Sequence, residues 1–272
     1  MSDAEWMIRQ SDVLDPARAQ ALQAALGLEP DAEVGTPLPP FFHQIYFWEP
    51  QPPELLGRDG HPRVGSGLIP DMGLPRRMWA GGRLRFDAPL LAGIPAVRRS
   101  RVLRAEHKTG RSGPLAFVTL RHEIVQDRVV VVQEDQDLVY RTDPEPGAPR
   151  PQPPRPQPPQ ARRDEAEARE VAFDATLLFR YSALTFNGHR IHYDETYARD
   201  VEGYTGLVVH GPLLAQMLML MADSSDAPLR GFEFRATAPL MHTERATLCR
   251  SGLDAWVRGP DGRQCLVAAI TT

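Results

Sequence analysis

The sequence predicts an α+β fold in which antiparallel sheet wraps a buried helix, laid out twice along one chain. Two observations point to the architecture and a third divides it. Residues 212–222, PLLAQMLMLMA, are apolar nearly all round, as in a helix enclosed by its own fold, and the run is too short to span a bilayer. Strand-like segments punctuated by turn signals fill residues 83–141 and again 232–272. Between them, residues 142–160, TDPEPGAPRPQPPRPQPPQ, are too proline-rich and too poor in apolar side chains to join a core, and read as a polyproline-like spacer.

In chain order, Asp15-Pro16-Ala17 is a helix start, with an N-cap and a proline at the first helical position. The helix runs to Gly27 with Ala17, Ala21, Leu22, Ala25 and Leu26 at helical spacing. Strands follow at 83–90, 96–109, 115–127 and 128–141, separated by turns at Ala92-Gly93, at residues 109–113 and at Gln126-Asp127. Residues 161–170, ARRDEAEARE, are charged and fit either a short helix or a disordered stretch. Beyond them, 177–186 (LLFRYSALTF) reads as a strand, about 211–223 as the buried helix, and 232–240, 245–254 and 265–272 as strands. Phe86-Asp87-Ala88-Pro89-Leu90 echoes Phe234-Arg235-Ala236-Thr237-Ala238-Pro239-Leu240, a weak repeat consistent with duplication. The expected organisation is a first half over 1–141, a linker over 142–165 and a second half over 166–272.

With 272 residues, 42% hydrophobic content and a formal charge of −4, the chain is a globular protein with no electrostatic case for nucleic acid. The first residues lack a basic start followed by an apolar stretch, and no apolar run is long enough for a membrane, so a cytoplasmic location is expected. Cys249 and Cys265 have no metal-type spacing and read as buried thiols. Lys108 is the only lysine, so nearly all positive charge sits on arginine, the better residue for a forked contact to carboxylate or phosphate. That usage fits a GC-rich bacterial gene.

The densest chemistry lies in Phe186-Asn187-Gly188-His189-Arg190-Ile191-His192-Tyr193-Asp194, followed by Gly206-Leu207-Val208-Val209-His210-Gly211-Pro212. His192 titrates near neutral pH in water and can take a proton. Gly211 opens a helix, where unpaired N–H donors and the dipole favour negative charge. His189 and His192, with Asp194, could suggest a metal site. A loop does not set both imidazoles on one helix face and no fourth ligand is evident, so no metal is expected. Asp194 is more naturally the N-cap of a short helix at 194–200.

These two stretches, with Arg76-Arg77-Met78-Trp79-Ala80-Gly81-Gly82, resemble the MaoC-like hydratases and dehydratases of the hotdog fold. Within them, FNGHRIHYD is similar to the subfamily that hydrates mesaconyl-C4-CoA (3-methylfumaryl-CoA) and itaconyl-CoA. The resemblance covers most of the chain and implies a double hotdog, a hydro-lyase reaction on an acyl-CoA, catalysis in the second half and an acyl tunnel in the first. No cofactor is implied, since coenzyme A arrives with the substrate, and a homodimer is expected. It assigns catalysis to Asn187, His192 and the Gly211 N–H, with His210 opening the central helix. Related hydratases hold an aspartate at the place of Asn187, and an amide cannot accept a proton. Either Asn187 orients the water while His192 shuttles the proton, or the protein binds acyl-CoA without turning it over. A C5 dicarboxylyl substrate would bring a second carboxylate into an apolar pocket, for which Arg76, Arg77 or Arg83 are candidates. Trp79 fits the acyl pocket or the core, and Arg190 a coenzyme A phosphate. The alternative enzyme is a 3-hydroxyacyl-thioester dehydratase of fatty-acid metabolism.

Overall fold

The computed structural model describes residues 8–65, 67–110, 113–143, 157–224 and 227–272. Ten strands among them form one antiparallel sheet in the order β1-β3-β4-β5-β2-β7-β10-β9-β8-β6. β1 (Ile8–Val13), β2 (Arg76–Phe86), β3 (Pro95–Gly110), β4 (Gly113–Gln126) and β5 (Val129–Arg141) come from the first half of the chain. β6 (Glu167–Ala172), β7 (Gly231–Ala236), β8 (Arg245–Ser251), β9 (Asp254–Arg258) and β10 (Gln264–Thr271) come from the second. The order within one half mirrors that within the other, and the halves meet where β2 pairs with β7. The succession from residue 81 to 100 is repeated at 231–250, so that Pro89-Leu90 and Pro239-Leu240 take equivalent places.

Each half opens with a strand and a capped helix. α1 (Pro16–Ala25) is capped by Asp15, whose carboxylate accepts from the Ala17 N–H. α2 (Ala175–Leu184) is capped by Asp174, which accepts from Leu177 N. Residues 177–186, expected as a strand, are therefore mostly helix. Leu178, Tyr181 and Ser182 supply its buried face at 3–4 spacing, and its aromatic content had mimicked a strand. Residues 161–170 are neither helix nor disordered: Ala161 N donates to Gly262 O, Arg258 forks onto Glu165, and 167–172 form the edge strand β6. The proline-rich segment lies largely outside the described residues, though its end is anchored where Gln264 N donates to Pro159 O. The turn at 109–113 also falls partly outside them. Residues 76–82 lie within β2 rather than before it.

α3 (Gly211–Ala222) has no equivalent among the described residues of the first half. Leu213, Leu214, Ala215, Leu218 and Met219 are buried against apolar residues of the second half's sheet such as Leu248, Val257 and Leu266. Each large side chain so buried contributes roughly 1.5–3 kcal/mol. Where β2 crosses β7, a Cβ on Gly81 would stand 2.4 Å from the Phe234 carbonyl oxygen, so glycine lets the two halves join. β2 is bulged between Trp79 and Gly81 at the same place. Both cysteines are buried and free. Among the described residues no helix is long and apolar enough to cross a membrane.

Candidate active site

His192 closes a 3-10 turn, Arg190–His192, and lies buried beside the start of α3. Its Nδ1 is 2.7 Å from the Val208 carbonyl oxygen. A carbonyl only accepts, so Nδ1 carries the hydrogen and the neutral ring leaves Nε2 bare as an acceptor. Burial pulls its pKa down to about 4, with the Val208 bond opposing, so the imidazole is unprotonated at neutral pH. His210, the residue before α3, stacks on it with ring centroids 3.6 Å apart. Its own Nε2 is 2.8 Å from Ser182 Oγ on α2, and the Tyr181 ring meets its edge at 5.0 Å. Gly211 and Leu213 carry the N–H donors of α3's first turn, since Pro212 has none. A Cβ on Gly211 would have only the Trp79 carbonyl near it, at 3.9 Å, so a ligand rather than protein packing is what a side chain there would obstruct.

Asn187 sits in the same loop, and its Oδ1 accepts from the His189 N–H at 3.1 Å, closing an Asx turn. The residue before it, Phe186, holds φ at 51° and stacks on Trp48 at 5.2 Å. Left-handed backbone is costly for a bulky residue, and a strained loop held by its surroundings is a common feature of functional sites. The surroundings here are a first-half loop that the sequence had not marked. Arg190 N donates to Asp59 O, Arg190 Nη1 to Arg58 O, and Tyr193 Oη to Gly188 O. A Cβ on Gly60, where φ is +85°, would come 2.0 Å from the Gly188 carbonyl oxygen. Gly60→Ala should therefore push the catalytic loop away, lowering kcat more than tenfold while leaving the far-ultraviolet circular dichroism unchanged, because geometric errors of about 1 Å cost that much.

A file of imidazoles runs inward from that loop. His61 lies 4.7 Å from His189, which lies 5.4 Å from His192. Burial first, then the Arg77 charge and the neighbouring imidazoles, hold His61 well below its usual range, and burial, then His192 and Arg77, hold His189 at about 2. His210 is likewise far below it, again chiefly through burial. His189, His192 and Asp194, where no metal is expected from the sequence, are engaged elsewhere: His192 Nδ1 is spent on Val208, while Asp194 caps Tyr197 N and binds Arg190. A different set, Asp59, His61 and His189, brings its ligand atoms within 4.8 Å of one another. Those three could hold a cation, but the Arg77 guanidinium already repels positive charge at both imidazoles.

The other candidates separate cleanly. Arg76 is ion-paired to Glu202, and Arg83 forks onto Asp137 and approaches Asp135. Both are engaged by protein carboxylates. Arg190 is likewise engaged, on Asp194, Arg58 and the face of Tyr197 at 4.2 Å, and so builds the loop rather than reaching a phosphate. Trp79 donates Nε1 to Gly81 O and packs between the two main apolar clusters. Arg77 lines a cavity of about 220 Å³ on the first half's sheet. The sequence reading missed Asp59, His61, Tyr181 and Ser182. A serine and a tyrosine in a segment misread as strand gave no reason to turn them towards His210.

Residues 41–242 match the family model for hydroxyacyl-thioester dehydratase type 2. The chain is 46% identical, over 99% of both sequences, to the mesaconyl-C(4)-CoA hydratase of Chloroflexus aurantiacus. In structure it resembles a MaoC-like dehydratase from Phytophthora capsici, with TM-score 0.68, 12% identity and coverage of 99% and 96% of the two chains. It also resembles a Mycobacterium tuberculosis protein described as a double hotdog, with TM-score 0.57, 15% identity and coverage of 97% and 95%. The protein thus belongs to the hydroxyacyl-thioester dehydratase type 2 family and is a double-hotdog hydro-lyase.

Proposed function

We propose that the protein reversibly adds water to the double bond of a branched C5 unsaturated dicarboxylyl-CoA such as mesaconyl-C4-CoA or itaconyl-CoA, giving citramalyl-CoA. The observation that carries this reading is a neutral His192 with its proton fixed on Nδ1 by Val208, beside the first turn of α3. The relative at 46% identity supports the substrate class.

In this reading, for the conjugated mesaconyl-C4-CoA, Nε2 of His192 takes a proton from water as the water oxygen bonds to the β-carbon. The electron pair of the double bond moves towards the thioester oxygen, where the Gly211 N–H meets the growing charge. His192 then delivers the proton to the α-carbon, so one imidazole serves as base and acid in turn. Asn187 holds the water, and its amide need not titrate. The reaction is redox-neutral and calls for no cofactor. A homodimer in the cytoplasm is the expected setting, which sedimentation and cell fractionation would check.

Mass spectrometry in oxygen-18 water tests the proposal. Mesaconyl-C4-CoA or itaconyl-CoA should gain one labelled water, and the label should be on the β-carbon. Hydration of crotonyl-CoA with neither dicarboxylyl ester altered would instead favour the aliphatic 3-hydroxyacyl thioester reaction. Binding of all three with no mass gain would favour a non-catalytic acyl-CoA protein.

A further inference from the structure

Among the described residues the first half has no counterpart of α3, and the sheet face that such a helix would cover is polar. Ile8, Ser100, His122 and Glu134 stand in register across β1, β3, β4 and β5, with Gln10 opposite Arg98 one step along. In the second half the corresponding face is apolar and packs on α3. Counting from the shared Pro-Leu pairs, Arg98 occupies the place of Leu248, which is fully buried there. Polar groups turned inward on a sheet are costly unless partnered. Here they line a cavity of about 220 Å³.

Among the described lining residues, Arg77 and Arg98 bring two guanidinium groups to this cavity, with the carboxylates of Glu49 and Glu134. Glu134 is moreover held by His43 at 3.0 Å and Gln44 at 2.7 Å. The Arg98 side chain is half-buried, and its hydrogen bonds among the described residues go to neutral oxygens, Oε1 of Gln10 and the carbonyl of Phe47. Phe47 takes a left-handed φ of 58° to present that carbonyl. A half-buried cation without a carboxylate in contact is an incomplete arrangement that a ligand anion would complete. Arg77 lines the same cavity and also acts on His61 and His189, which joins the cavity to the catalytic loop.

We infer that Arg77 and Arg98 receive the free carboxylate of a dicarboxylic acyl thioester in the space left by the missing helix, and so select dicarboxylyl over monocarboxylyl substrates. This deepens the hydratase reading and rests on it. Binding of two saturated esters of equal length tests it without turnover. By titration calorimetry, succinyl-CoA should bind the protein more tightly than butyryl-CoA, and Arg98→Leu should weaken succinyl-CoA on the order of 100-fold and erase the preference. Arg77→Gln should shrink the preference as well. Equal binding of both esters by the unaltered protein, or a preference surviving in both variants, would overturn the assignment. Loss of both esters in Arg98→Leu would report misfolding, and the Arg77→Gln comparison then decides. Should succinyl-CoA be preferred while mesaconyl-C4-CoA stays unhydrated, the anchor stands and the hydratase reading falls.

Discussion

Replacing His192 with alanine should lower kcat by about 10²–10⁴-fold with little change in KM, the usual contribution of a positioned general acid–base. The effect is expected to be large because, in the proposed mechanism, one imidazole handles both protons and no neighbouring group is placed to replace it. Asn187 is an amide, and His189 and His210 are held too far below their usual range to bear charge cheaply. KM should hold because His192 meets the reacting atoms rather than the coenzyme A moiety. Stability will fall somewhat, since the Val208 carbonyl loses its donor, which costs about 1–3 kcal/mol. Steady-state kinetics with a thermal melt separates the two effects. A variant that melts normally and keeps more than a tenth of the rate would remove His192 from the chemistry. Asn187→Ala should cost less, roughly tenfold, if it only orients water.

The second large effect is acid lability. His61, His122, His189, His192 and His210 all have pKa values held down primarily by burial, His122 and His192 to about 4. In the unfolded chain each returns to about 6.5. Between those values the unfolded state binds more protons, so stability is complete above about pH 6.5 and falls as pH drops towards 4. Each such histidine contributes a slope of about 1.4 kcal/mol per pH unit within that window. Urea titrations from pH 7.5 to 5 should show a steep fall in midpoint with uptake of several protons. The same titrations on His122→Gln, a site away from the catalytic loop, should show a shallower fall. For activity, kcat/KM should stay flat from about pH 6 to 8, with no inflection near 6.5. An unchanged midpoint down to pH 5 would mean that these imidazoles are already charged in the folded protein.

Much of this architecture is legible in the chain because local signals and burial agree. α3 announces itself by apolar residues on every side, α1 by Asp15-Pro16, and the long strands by their alternation. Where burial is one-sided or absent the signal fails. β6 exposes every residue but Val171, so no alternation marks it, and its charges suit an edge strand instead. α2 was disguised by Phe179, Tyr181 and Thr185, which favour strands, although its Asp174 cap was readable. In the site, His192, Asn187 and Gly211 lie within one short region and carry a motif. His61 reaches His189 only through the packing of a first-half loop on a second-half one, which no local pattern encodes. Arg76, Arg77 and Arg83 of β2 show the limit most clearly. Their spacing made them equivalent candidates, and only the partners Glu202 and Asp137, distant in sequence, distinguish Arg77 from Arg76 and Arg83.

The most direct test of the account is the decay of the unsaturated thioester absorbance when mesaconyl-C4-CoA is mixed with the protein and, separately, with His192→Ala. The account predicts rapid decay to equilibrium with the unaltered protein and a rate at least a hundredfold lower in the variant. No decay with the unaltered protein, or equal decay in both, would contradict it.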